Sequence, residues 1–165
     1  MRLGVTVNGT GLEQSHLREI FPAWRLSAPS DAAGNGRTSG AAPQGPGPLS
    51  GSRVLVVEDE FFVGLEIAET LEAAGASIAG PAWTLADAER MAAEGGIDMA
   101  VLDVNLDGQY AIDLGIGLKR QGVRVVFVTA HVDDASMFPG EAASIPRLGK
   151  PASSRALLRA LVPAT

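Results

Sequence analysis

The side chains best placed to do chemistry stand in four places: Glu58-Asp59-Glu60, Asp103, Thr129 and Lys150. Each follows a short apolar run, so each is a polar group at the end of a buried element. Two or three carboxylates held together repel one another, and either one is protonated or a cation sits among them. Oxygen donors, with no thiolate and no suitable imidazole, select Mg²⁺ or a similar hard ion. A lysine and a hydroxyl beside such a cluster make a site for a group carrying several negative oxygens, and phosphoryl fits best. A carboxylate such as Asp103 needs no general base to attack phosphorus.

The elements that must position these groups are legible as alternating strand and helix signals from Arg53 onward. Val54–Val57, Met99–Leu102 and Val125–Val128 are continuous apolar runs without polar alternation, which suits strands covered on both faces of a parallel sheet. Ala76–Ala79 and Ile145–Leu148 read as two shorter strands. Helices are expected over Phe61–Ala74, stopped by Gly75, and over Leu85–Glu94, capped by Thr84. A third, Ala111–Arg120, is diluted by Gly115 and Gly117, and a fourth is interrupted by Pro139-Gly140. Ser153 or Ser154 caps a closing helix that runs through Leu161. The order βαβαβαβαβα predicts an open, doubly wound α/β fold with a five-stranded parallel sheet. In such sheets ligands bind beyond the carboxyl ends of the strands, where Glu58, Asp59, Asp103, Thr129 and Lys150 converge.

Composition narrows the chemistry further. The 165 residues include no Cys and only two His, His16 and His131. Disulfide frameworks, thiolate zinc sites, cysteine nucleophiles and multi-histidine metal sites are therefore excluded. A net charge of −6 argues against a phosphate-neutralising surface for nucleic acid. Residues 1–52 carry a net +1, so the acidic excess belongs to the remainder. Residues 27–52 are almost wholly Gly, Pro, Ser and Ala, with Leu49 the one large apolar side chain, and read as a flexible linker. Residues 1–26 read as an N-terminal extension too poor in apolar residues for its own core, with Glu13–Phe21 a short amphipathic helix. There is no signal peptide or membrane span in the apolar pattern.

Rival motifs fail on inspection. Gly149-Lys150-Pro151 lacks the first Gly of a P-loop and has Pro where Ser or Thr must bind metal. No G-x-S-x-G elbow or H-E-x-x-H is present. Asp103 and Asp107 do not have the D-x-D spacing of haloacid-dehalogenase phosphatases. The combination of Val54-Leu55-Val56-Val57-Glu58-Asp59-Glu60, Leu102-Asp103-Val104-Asn105-Leu106, Phe127-Val128-Thr129-Ala130 and Lys150-Pro151 resembles the receiver domain of bacterial two-component response regulators. The likeness spans residues 53–162. Val104-Asn105-Leu106 and Phe127-Val128-Thr129 further resemble a stand-alone receiver group of alphaproteobacteria. Separately, Gly9-Thr10-Gly11-Leu12 resembles the Gly-rich box of histidine-kinase ATPase domains over four residues.

The receiver resemblance implies a flavodoxin-like (βα)5 fold and a role for each site residue. Asp103 is implied as phosphoacceptor. Glu58, Asp59, Asp103 and the backbone carbonyl of Asn105 are implied as ligands of Mg²⁺. Lys150, held by a cis bond to Pro151, would pair with a phosphoryl oxygen, and Thr129 would turn its hydroxyl toward the phosphoryl group. Asn105 and His131 stand where receivers tune the lifetime of the phosphoryl group. Glu60 is expected to be a solvated acid of the first helical turn.

Two positions depart from the pattern. Arg147 replaces the aromatic residue usual three places before the lysine, and Ala152 replaces a large apolar one. The expectation is that phosphorylation changes the order of Ala130–Ala143 in place of the usual aromatic rotamer switch.

The function implied is that of a cytoplasmic signalling protein, not an enzyme beyond its own phosphorylation and dephosphorylation. Its partners would be a sensor histidine kinase or histidine phosphotransfer protein and a downstream protein target, with neither nucleic acid nor membrane. The alternatives are the C-terminal receiver of a hybrid histidine kinase and a Mg²⁺-dependent phosphohydrolase.

Overall fold

The computed structural model describes residues 46–162. The expectations for Gly9–Leu12, Glu13–Phe21 and the rest of the extension lie outside the described residues. Five parallel strands form one sheet in the order β2-β1-β3-β6-β7, with β1 Arg53–Val57, β2 Ser77–Ala82, β3 Met99–Asp103, β6 Arg124–Thr129 and β7 Arg147–Gly149. A two-stranded antiparallel hairpin, β4 Asn105–Leu106 and β5 Gln109–Tyr110, follows β3. Helices α1 Phe61–Ala73, α2 Leu85–Ala93, α3 Ile112–Arg120 and α4 Ser154–Leu161 cover the sheet. The doubly wound fold expected from the apolar runs is thus the one observed.

Strand side chains alternate between the two faces, and this divides the core. Val54, Val56, Val101, Val126 and Val128 pack with Leu71 of α1 and with Leu157 and Leu161 of α4. Leu55, Val57, Leu102, Val125 and Phe127 pack with Ala88 of α2 and Leu118 of α3. The expected caps are present: the Thr84 hydroxyl accepts from Asp87 N and the Ser153 hydroxyl from Ala156 N. Among the described residues no helix is long and apolar enough to cross a membrane.

Three features differ from the sequence reading. First, no fourth α-helix joins β6 to β7. The connection holds two 3-10 turns, Ala135–Met137 and Gly140–Ser144, because Pro139 separates them and α-helical bonding cannot run through it. Second, the packed unit begins before Arg53. Leu49 is 1% exposed and sits with Leu71 and Leu161, and its N–H donates to Ala74 O at 3.0 Å. Residues 46–52, read as the end of the linker, therefore belong to the folded unit. Third, Gly115 proves to be a packing requirement as well as a weak helix former. A Cβ there would lie 2.5 Å from Phe127 Cζ, so only glycine lets α3 approach the sheet this closely.

Candidate functional site

The carboxyl ends of β1, β3, β6 and β7 bring the expected residues to one place. Glu58, Asp59 and Asp103 each offer a carboxylate oxygen, and these atoms lie within 4.8 Å of one another. Strand pairing explains the meeting: Val57 is opposite Leu102 and Asp103 is opposite Val128, so the residues just beyond these pairs share one edge. Glu58 is fully buried, Asp103 is 5% exposed, and Asp59 is partly exposed at the rim.

Lys150 enters this cluster from the end of β7. Its Nζ donates to Glu58 Oε1 at 2.8 Å and to Asp103 Oδ2 at 2.7 Å, with Glu60 Oε1 at 3.5 Å. The Lys150–Pro151 bond is cis, as the resemblance implies, and Gly80–Pro81 is cis as well. The Glu60 side chain is mostly exposed, as expected, but the residue is the N-cap of α1 and stands before its first turn, with no side-chain cap bond of its own. Burial would lower the Lys150 pKa, but hydrogen bonds to Asp103 and Glu58 outweigh it and hold the ammonium above its usual range. For Glu58, burial dominates. Opposed by the Lys150 hydrogen bond and reinforced by the charge of Asp103, it pushes the carboxyl up to about 7.

One atom in the cluster is unmatched. Glu58 Oε2 is buried and has no hydrogen-bond partner among the described residues. A buried carboxylate oxygen without a donor is costly, and a cation between it and its two neighbouring carboxylates would relieve it. The donor set is all oxygen, which fits Mg²⁺.

The remaining expected residues surround this centre. Asn105 N donates to Asp103 Oδ1 at 3.1 Å, while the Asn105 side chain accepts from Gly108 N at 2.9 Å. Thr129 is 3% exposed at the end of β6, and its hydroxyl accepts from His131 N at 3.0 Å. His131 itself is exposed at the rim. The structure adds Asp107, whose N–H donates to Asp59 Oδ2 at 3.0 Å and so fixes an otherwise exposed carboxylate. Asp107 and Gly108 form the tight turn of the β4–β5 hairpin, with φ of 50° and 85°. The Asp-Gly dipeptide is a hairpin signal that could have disclosed this contact.

Similarity to known proteins agrees with this geometry. A scan against protein-family models finds no match, and no curated protein matches the sequence. Solved structures do match. A receiver domain of the PhyR response regulator from Erythrobacter litoralis is 25% identical with a TM-score of 0.60, over 69% of this chain and 89% of that one. A response regulator receiver domain from Clostridium thermocellum is 23% identical with a TM-score of 0.58, over 67% and 90% of the two chains. A response regulator from Burkholderia pseudomallei, described with a phosphorylated aspartic acid, a calcium ion and citrate, is 20% identical with a TM-score of 0.60, over 67% and 66%. With five parallel strands in this order and an acidic cluster at their carboxyl ends, the chain carries a domain of the response-regulator receiver fold.

Proposed function

We propose that the protein is a phosphoacceptor in two-component signal transduction, taking a phosphoryl group onto Asp103 from a histidine kinase or histidine phosphotransfer protein. The observation that carries this reading is the placement of Lys150 between Asp103 and Glu58, beside the unmatched Glu58 oxygen. An Asp103 oxygen attacks phosphorus, an acyl phosphate O–P bond forms, and the P–N bond of the phosphohistidine breaks. The imidazole leaves and takes up a proton. Lys150, already within 2.7 Å of Asp103, neutralises charge on the transferred group. Glu58, Asp59, Asp103 and the Asn105 carbonyl would hold Mg²⁺, which supplies further neutralisation of the phosphoryl oxygens. Thr129 has a hydroxyl proton to give to a phosphoryl oxygen, and Asn105 and His131 would tune the lifetime of the acyl phosphate. This would be a signalling role in the cytoplasm, with output through protein contacts.

The donor has to approach over the elements that leave the site. Two large apolar side chains are exposed among the described residues, and both stand on those elements: Phe62 in the first turn of α1, 79% exposed, and Tyr110 at the end of the hairpin, 56% exposed. They are suited to contact the donor protein.

Incubation with Mg²⁺ and acetyl phosphate, followed by intact mass, tests the reading. The expected outcome is one base-labile phosphate per chain, lost in Asp103→Asn. Equal uptake by Asp103→Asn, or none by the wild type, would remove Asp103 from the role. Repeated turnover of small phosphate esters would instead mark a phosphohydrolase.

A further inference from the structure

Between Thr129 and β7 the chain is held at both ends and at its middle by unlike contacts. At the near end, the Thr129 hydroxyl accepts from His131 N. From there the backbone runs without slack: Asp134 N donates to His131 O at 3.2 Å, the Asp134 carboxylate accepts from Ser136 N at 3.0 Å, and Phe138 N donates to Ala135 O at 3.2 Å. The Val132 side chain lies over Gly149, 3.3 Å from where a Cβ would stand, directly before Lys150. At the far end Arg120 of α3 grips Glu141 with two hydrogen bonds of 3.0 and 2.7 Å, and Lys119 bonds Ser144. With Ala142 fully buried beside this exposed ion pair, a shift that starts at His131 is taken up most easily before Glu141.

The one large side chain in that interval that is buried is Phe138, at 1% exposure. Its ring packs on Phe127 with centroids 5.6 Å apart, and the Arg147 guanidinium lies 4.5 Å from the centroid of the same ring. Arg147 is paired with Phe127 across β6 and β7, so its cation closes Phe138 into the core. We propose that Phe138 under Arg147 is a latch, closed while Asp103 is free and released when Asp103 carries a phosphoryl group; this rests on the phosphoacceptor reading above.

The coupling runs through one hydrogen bond. Asp103 is paired with Val128, so Thr129 is the next residue along the neighbouring strand. A phosphoryl group adds acceptor oxygens beside it, and a hydroxyl that donates to them still accepts from His131 N, so its displacement draws the bonded N–H with it. His131 stands at the exposed rim, so the segment that carries it can follow at little cost. The displacement passes through the two short turns to Phe138. Burial of the ring holds the latch closed, and the half-buried Arg147 cation adds only about a two- to fivefold bias to it, so removing the cation loosens the latch without unfolding the domain.

The test uses the full chain with Mg²⁺ and beryllofluoride as phosphoryl mimic, and hydrogen exchange of peptides covering 130–144. Loading is expected to raise exchange there and leave α2 unchanged. In Arg147→Gln, exchange without the mimic should already be about two- to fivefold faster. By linkage the same variant should bind beryllofluoride tighter by the same factor, which a merely structural arginine would not produce. Acetyl phosphate uptake, read by mass, separates the two layers. No uptake would overturn both the latch and the reading beneath it. Uptake with unchanged protection at 130–144, or a loosened Arg147→Gln with unaltered affinity for the mimic, would overturn the latch alone.

Discussion

Replacing Glu58 by Gln should make the metal-free protein more stable at pH 8. The carboxyl is fully buried, and its pKa rises from 4.5 to about 7 even with Lys150 bonded to it. The folded state therefore binds a proton more tightly than the unfolded chain. The sign follows from linkage: stability linked to Glu58 is fully present below pH 4.5 and is lost as pH rises through about 7. The difference between the two states amounts to about 3 kcal/mol at pH 8. A glutamine mimics the protonated acid and avoids the loss. With a urea dependence of about 2 kcal/mol per molar, the variant's midpoint should lie about 1.5 M above that of the wild type. Urea titrations in chelator at pH 8, 7, 6 and 5 give the gap, and other titrating groups cancel between the two proteins. It should shrink steadily toward pH 4.5. Adding Mg²⁺ should also narrow it, because the charged ligand gains more from the cation. A wild type as stable as the variant at pH 8 in chelator, or a gap independent of pH, would refute the reasoning.

Two stability predictions concern the packing around the site. Gly115→Ala should destabilise by about 1–2 kcal/mol in urea melts, since the overpacking against Phe127 exceeds the gain in helix propensity. Gly117→Ala, where a Cβ meets nothing within 4 Å, should instead stabilise by up to about 1 kcal/mol. Leu49→Ala should cost about 2–3 kcal/mol, because Leu49 is as buried as the central strands; a change within about 0.5 kcal/mol would place it outside the cooperative unit.

Features that depend on local pattern are legible in the sequence. Val54–Val57 and Val125–Val128 are strands because both faces are covered, and an unbroken apolar run reports that. Thr84 and Ser153 cap helices through contacts three residues away, within reach of sequence inspection. The polar residues that end the strands gave the candidate site, and the structure brings Glu58, Asp59, Asp103 and Lys150 together. Features set by distant partners were not legible. Leu49 is a lone apolar residue among glycines and prolines, and only its contact with Leu71 and Leu161 makes it core. Gly115 reads as a defect in a helix, and its packing requirement comes from Phe127, distant in sequence and directly beneath it. The segment after Thr129 carries only a helical signal broken by Pro139-Gly140, and its shape is set by Phe138, Glu141 and Ser144 finding partners on β6, β7 and α3.

The lysine lodged among the carboxylates has a consequence for ion choice. With every group ionised, and the mostly exposed Glu60 left to solvent, Glu58, Asp59 and Asp103 against Lys150 leave a surplus of two negative charges. A divalent ion brings the pocket to neutrality, a monovalent ion leaves a deficit, and a trivalent ion overshoots. The internal ammonium thus converts a pocket of three acids into one matched in valence to a single divalent cation. Charge balance then works against sodium or potassium alongside size and coordination number.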